Sequence, residues 1–349
     1  ESKGNGDFVL LTDAGNIFQG TPLGTRDGGS NIIKWMNWLG YDALVPGVRD
    51  FDQGVKNLAR LNEEAEFPFL AANLKGVDGI IPHKVLEFGN IKIGLIGLIT
   101  PFISDGLLPE NYEGVEISPL IETLNDEVAE LKNQVDLVFV LCHLGIPYDR
   151  EIKYKKFIKK INEGESIEIK NAIELAHFTE SVDMIITGGF SKGYNTPWVD
   201  PNTHAIVVQN YGSLTGIGHL ILNIDQDKKV IKDYSFPTDR GMLVNLFTDD
   251  VWADRAMADT IKNWVNNAKK EEDLDYSDKI SSIGNNNCNM QIKSTYSNYA
   301  IPKLGTDDNL EIMTWNMERF PLDGDKTMEA IAEIIQDLDV DIIGVQEVI

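Results

Sequence analysis

The chain has 349 residues, with 31 Lys and Arg against 55 Asp and Glu, a formal charge of −24. A surface this acidic repels nucleic-acid backbones, so no nucleic-acid partner is expected for the bulk of the chain. The 42% hydrophobic and 25% charged content suits a globular chain with a sizeable core. Two cysteines, Cys142 and Cys288, exclude a disulfide framework and a cysteine-based zinc site. No apolar run reaches the roughly eighteen residues that suggest a membrane span, and no signal peptide is visible.

Taken in order, Phe8–Leu11 reads as a strand feeding the turn Asp13-Ala14-Gly15-Asn16. Apolar residues at helical spacing, Ile32, Ile33, Met36 and Leu39, predict a helix over 31–39 that stops at Gly40. A second strand, Ala43–Val45, feeds Gly47-Val48-Arg49-Asp50, and Val55–Ala65 repeats the helical pattern. Val85–Thr100 predicts a hairpin turning at Gly89-Asn90. After an amphipathic helix over 118–133, the run Asp136–Gly145 is too apolar for an edge strand and predicts central parallel sheet, with Cys142 a buried thiol inside it. The Lys- and Glu-rich stretch 148–171 predicts an exposed helical insertion with a solvated face. Val182–Gly188 and Ala205–Gln209 predict two further strands, His219–Ile224 a closing strand, and 249–270 a helix capped by Asp249. The β-α-β order delivers polar residues to the C-terminal ends of strands, where open α/β sheets place ligands.

These motifs resemble the metallophosphoesterase domain of secreted 5′-nucleotidases and UDP-sugar hydrolases. In that family the first turn reads Asp-Ala-Gly-Asp, the second Gly-Asn-His-Asp or Gly-Asn-His-Glu, and later motifs read Ser-His-Leu-Gly and Gly-His-Ser-His. The resemblance implies a layered α-β-β-α sandwich of the calcineurin-like type. The family's first strand, ending in Asp-x-His, is not found here, so the domain is expected either to continue upstream of Glu1 or to lack it. A two-metal phosphoesterase needs a carboxylate between two dications, imidazole and carboxamide donors, and a metal-activated hydroxide. By position, Asn16 stands for the bridging Asp, Val48 for an Asn ligand, and Arg49 for a phosphate-contacting His; Asp50 and His143 are kept. At Gly188-Gly189-Phe190-Ser191-Lys192, either Gly189 and Ser191 or Phe190 and Lys192 replace two histidines. The resemblance therefore implies a degenerate first site whose candidate ligands are Asn16, Asp50 and His143. Arg49, Lys192 and His204 are candidate contacts to a substrate or anion. Arg49 cannot transfer protons. Arg49 and Lys192 are expected to substitute for metal charge, by neutralising Asp13 and Asp50 or by holding an anion. No cofactor is expected in this site; the alternative is two divalent ions, Zn, Mn or Fe.

Beyond Pro302, Thr314-Trp315-Asn316 and Gln346-Glu347, separated by a predicted helix over 327–338, resemble the opening of the endonuclease/exonuclease/phosphatase family. That implies Mg²⁺ near Asn316 and Glu347 in a complete domain, and makes the C-terminal piece a β-α-β fragment of a second α/β phosphoesterase-type domain. The expected organisation is a metallophosphoesterase-like domain over 1–245, a helix over 246–270, a polar linker over 271–305 and the second domain's start over 306–349. The favoured reading is a catalytically degenerate 5′-nucleotidase-like domain serving as an extracytoplasmic scaffold, assembly or binding component. Self-assembly, another protein, or a nucleotide or phosphate are its expected partners. The alternatives are an active hydrolase of nucleotides or phosphoesters, and a metal-free anion-binding module.

Overall fold

A computed structural model describes residues 8–18, 22–25, 27–190, 192–246, 253–267, 312–320 and 342–348, with backbone alone for the last two segments. The chain divides into two units, Glu1–Leu274 and Asp275–Ile349.

In the first unit, β1 (Thr12–Asp13) leads to α1 (Pro22–Thr25), α2 (Ser30–Leu39), β2 (Ala43–Leu44) and α3 (Val55–Glu64). Then come β3 (Leu74–Lys75), β4 (His83–Phe88), β5 (Ile91–Leu98), β6 (Glu116–Ile117), α4 (Leu120–Leu131) and β7 (Leu137–Cys142). The remainder is α5 (Arg150–Asn162), α6 (Ala172–His177), β8 (Met184–Thr187), β9 (Trp198–Val199), β10 (Ile206–Val208), β11 (Gly216–Gly218), β12 (Ile221–Asp225), β13 (Val230–Ser235), β14 (Leu243–Asn245) and α7 (255–267).

The main sheet runs β4-β5-β7-β8-β10-β9, parallel from β5 to β10 and closed at each end by an antiparallel strand. Both faces of its centre are buried, which is why β7 reads as an unbroken apolar run. Leu137, Phe139 and Leu141 pack into one core; Val138, Val140 and Cys142 pack into the other. The second core is roofed by α4, α5 and α6. The first is shared with β1, β2 and residues 67–74, beyond which lie Ile33 and Met36 of α2 and Leu58 and Leu61 of α3. Helices, sheet, sheet and helices thus stack in that order, the layered α/β arrangement anticipated above.

Several boundaries differ from the sequence reading. The first strand is Thr12–Asp13 rather than Phe8–Leu11, because the parallel partner offers only Ala43 and Leu44. Phe8 instead turns its ring onto Phe88 at 5.7 Å. The Lys-rich insertion forms α5, but one face is buried: Tyr154 and Phe157 pack into the second core. Asp249 lies outside the described residues. The start of α7 is capped by Asp254, whose Oδ1 accepts the Met257 N–H at 2.9 Å. Cys142 is a buried free thiol, pushed up to about 12 by burial. Cys288, the 271–305 linker and the 327–338 helix also lie outside the described residues. No helix among them is long and apolar enough to cross a membrane.

Of the second unit, β15 (Ile312–Phe320) and β16 (Ile342–Val348) are described; they pair in parallel with Asn316 opposite Gln346, the residue before Glu347.

Asn73 clamps the end of β5 to the segment that precedes β3. Its fully buried carboxamide donates to the Ile99 carbonyl and accepts the Ile99 N–H, each at 2.9 Å. Asn73→Ala leaves both groups buried and unpaired, so it should cost about 2–4 kcal/mol. The urea midpoint of the first unit should fall with an unchanged m-value.

Candidate functional site

The site lies where β1, β2, β7 and β8 end. β1 runs into Gly15, whose φ of +92° suits glycine. A Cβ there would sit 2.3 Å from the Gly47 nitrogen, so the turns after β1 and β2 touch backbone to backbone. A Cβ on Gly47 would meet Asn16 Oδ1 at 2.3 Å and His143 Cε1 at 2.6 Å, which places Asn16, Gly47 and His143 around one point.

Asp50 holds this junction. It is the third residue of a short 3-10 turn, Val48–Phe51, and is 1% exposed. Its Oδ2 accepts the N–H of Asn16 at 2.7 Å and of Gly47 at 2.8 Å; its Oδ1 accepts the N–H of Ile17 at 2.8 Å. All three donors are backbone amides that a buried turn would otherwise leave unpaired. Burial pushes the carboxyl up to about 7, against the pull of those three donors and with a further upward push from Asp13. Asp13 is itself pushed up to about 6 by burial, with the Gly15 N–H on its Oδ1 acting the other way.

His143 follows β7 directly and is nearly buried. Its Nδ1–H donates to the Ala14 carbonyl, leaving the Nε2 lone pair toward the Gly188-Gly189 turn, where a Gly189 Cβ would lie 3.6 Å from Nε2. Burial lowers its pKa, so the neutral ring with a free Nε2 is favoured. A backbone acceptor on Nδ1 is the orientation that metal-binding histidines use.

Two residues absent from the sequence reading hold the loops around His143. Thr187 Oγ1 accepts the Gly145 N–H at 2.9 Å and donates to the Gly188 carbonyl at 3.2 Å. Buried Gln209 accepts the Ile146 N–H at 2.6 Å and donates to the carbonyls of Phe190, at 3.3 Å, and Lys192. Their signal is position: each stands at the C-terminal end of a predicted core strand, where a polar residue must serve adjacent loops.

Arg49 and Lys192 do not neutralise Asp13 or Asp50. Arg49 Nη1 donates to the Gly106 carbonyl at 3.0 Å and lies 3.7 Å from Asp52, while its side chain stays 48% exposed. Lys192 Nζ donates to the Tyr148 carbonyl at 3.1 Å and sits over the rings of Tyr148 and Tyr194, 5.5 and 4.9 Å from their centroids. Amide N–H groups already occupy Asp50 and Asp13, and neither cation contributes to the shift of either carboxyl. His204 is likewise not brought to the site. It is exposed in the β9–β10 turn, at the start of β10, whereas His143 follows the end of β7.

The donor set does not fit a pair of divalent ions. Asn16 Oδ1, where the bridging carboxylate would stand, accepts the Arg49 N–H at 2.8 Å. Asp50 is spent on amides, and Val48 has no donor atom. Phe190 lies with its ring on Gly145, where a Cβ would be 2.1 Å from Phe190 Cδ2, and meets Tyr148 edge-on at 6.4 Å. Among the described residues no three His, Cys, Asp or Glu are grouped to hold one ion.

The Asp50 geometry carries a pH signature. Its folded-state pKa of about 7 exceeds the ordinary 3.8, so between those values the folded chain binds more protons. The contribution of Asp50 to stability therefore declines as pH rises from about 4 to about 7. Asp50→Asn should flatten that part of the profile. It should also cost about 1–3 kcal/mol, because a carboxamide NH₂ now faces a backbone N–H. Urea unfolding of both proteins across this range reads the two effects separately.

No protein-family profile matches the chain. It is 36% identical over 160 residues to a human 5′-nucleotidase, covering 42% of this chain and 27% of that protein. It is also 36% identical over 259 residues to a mouse 5′-nucleotidase, covering 66% of this chain and 40% of that one. To the trifunctional nucleotide phosphoesterase protein YfkN of Bacillus subtilis it is 31% identical over 207 residues, covering 52% of this chain and 13% of that protein. The chain thus spans well under half the length of these relatives. Among solved structures, the calcineurin-like phosphoesterase YfkN of Bacillus subtilis superposes with a TM-score of 0.57 at 22% identity, covering 75% of this chain and 84% of that one. A 5′-nucleotidase precursor from Thermus thermophilus gives 0.57 at 22% identity, covering 76% and 50%. The layered core described above is the calcineurin-like metallophosphoesterase fold, and its sequence is similar to that of the 5′-nucleotidases.

Proposed function

We propose that the first unit is a nucleotidase-like metallophosphoesterase domain that has lost its two-metal chemistry and serves as a binding or assembly component. One observation carries this reading. The position that should bridge two dications is a neutral carboxamide, turned onto the Arg49 N–H. Without a bridging carboxylate, two dications at bonding distance repel one another uncompensated, and no metal-activated hydroxide forms in line with a phosphorus. Val48, at a further ligand position, supplies no side-chain lone pair, and neither does Gly189 or Phe190, one or the other of which stands where a histidine belongs. An extracytoplasmic location accords with relatives named as snake venom 5′-nucleotidases.

The rival reading, an active hydrolase of nucleotides with a rearranged site, draws on His143. Its ring remains buried, neutral and oriented by the Ala14 carbonyl, as a ligand would be. The anion-binding alternative is disfavoured by charge. Asp13 and Asp50 line the junction, and Arg49 points away toward Gly106 and Asp52. In the second unit, the parallel register that sets Asn316 beside Gln346 and Glu347 supports a Mg²⁺ role for Asn316 and Glu347 in that domain.

Metal analysis of the purified chain, with AMP hydrolysis measured in added Zn²⁺, Mn²⁺ or Fe²⁺, separates the readings. Far less than one ion per chain is expected, with turnover unchanged in His143→Ala. Two bound ions per chain, with hydrolysis lost in His143→Ala, would overturn the proposal.

A further inference from the structure

The outer face of α5 is the one strongly basic element among the described helices, and nothing about the phosphoesterase site accounts for it. Its thirteen residues hold six of the chain's 31 Lys and Arg, against the single acidic Glu151. Tyr154 and Phe157 anchor the helix in the second core, so its opposite face is fixed toward solvent. On that face Lys153, Lys155, Lys156, Lys159 and Lys160 are exposed and follow Ile152 of the first turn, itself 56% exposed. Lys159 pairs with Glu163 at 3.6 Å; among the described residues the other four have no carboxylate within ion-pair distance.

Lysines at i, i+3 and i, i+4 repel: Lys153 and Lys156, Lys155 and Lys159, Lys156 and Lys159, Lys156 and Lys160. Such pairs are mildly destabilising. In a chain with 55 carboxylates, partners that would relieve this repulsion are plentiful. Most of the face is left unneutralised, and an exposed isoleucine lies at its N-terminal end.

We propose that this face of α5 docks on an anionic lipid surface. A cluster of lysines attracts acidic headgroups, and an apolar side chain on the same helix face can enter the boundary between headgroups and acyl chains. Tyr148, 58% exposed just ahead of α5, adds a second amphipathic side chain at the same end. A nucleic acid fits this face less well: it carries lysine point charges, without the arginine forks that grip phosphate in two-point fashion. The negative charge elsewhere on the chain opposes approach, but only charges within about a Debye length, ~8 Å at physiological salt, act at full strength. Attachment should therefore be reversible and salt-sensitive.

The test is co-sedimentation of the whole chain with vesicles of phosphatidylcholine alone or mixed with phosphatidylserine. At low salt the mixed vesicles should bind at least ~10-fold more protein than the neutral ones, and raising salt to about 1 M should release it. The triple variant Lys155→Glu, Lys156→Glu, Lys160→Glu should lose roughly 100-fold in vesicle affinity. Lys→Gln at the same positions should lose less, and both variants should unfold at or slightly above the parent's midpoint, since lysine repulsion along α5 is relieved. Ile152→Ser should weaken binding several-fold with its salt dependence retained. Equal binding to both vesicle types, no binding to either, or an intact affinity in the folded triple variant would each overturn the proposal. So would capture of duplex DNA or heparin through these lysines with no vesicle binding.

Discussion

A single buried carboxylate keeps this site in shape. Asp50 accepts three backbone N–H groups, from Gly47 in its own turn and from Asn16 and Ile17 in the turn after β1. Without it, the loops that end two parallel strands would face each other with unpaired donors in a water-poor junction. The close approach of Gly15 to Gly47 follows from the same tie, because the two turns are drawn together until no Cβ fits between them. Among the described residues no ion pair balances charge there; burial raises both Asp50 and Asp13 instead. The tie rests on hydrogen-bond geometry, which survives protonation changes better than a Coulombic contact would.

Around that junction the chain keeps the framework of a two-metal phosphoesterase and redirects its polar groups inward. Asn16 serves the Arg49 amide, His143 the Ala14 carbonyl, Thr187 the loop after β7, and Gln209 the loops after β7 and β8. Phe190 covers Gly145. A pocket whose side chains satisfy their own backbone holds its shape without an ion. The basic face of α5 is a separate feature: it is anchored by Tyr154 and Phe157, and its lysines face solvent rather than the junction.

Much of the architecture was legible before any coordinates. The β7 run announced a strand buried on both faces, the Gly89-Asn90 turn a hairpin, and the spacing of Ile33 and Met36 a helix with one buried stripe. These are local periodicities, set by which face of an element meets the core. Less legible were lengths and partners. Phe8–Leu11 has strand composition, yet the ladder is limited by the two residues its partner offers. The stretch 148–171 has a solvated composition, yet Tyr154 and Phe157 turn one face inward.

The sequence by itself determined which donor types stand in the first site's motifs, because Val48 has no donor atom and Asn16 no charge in any conformation. It also determined the order of strands and helices, through apolar spacing. Only the tertiary structure decided where the charges went. Arg49 and Lys192 lie near the pocket's loops in the sequence motifs, but Gly106, Asp52 and Tyr148 hold them elsewhere. His204 follows a strand turn that emerges at the start of β10, away from His143. The reason is physical: residue type limits what a side chain can bond, while its partner is chosen among groups that come together only once the chain is folded.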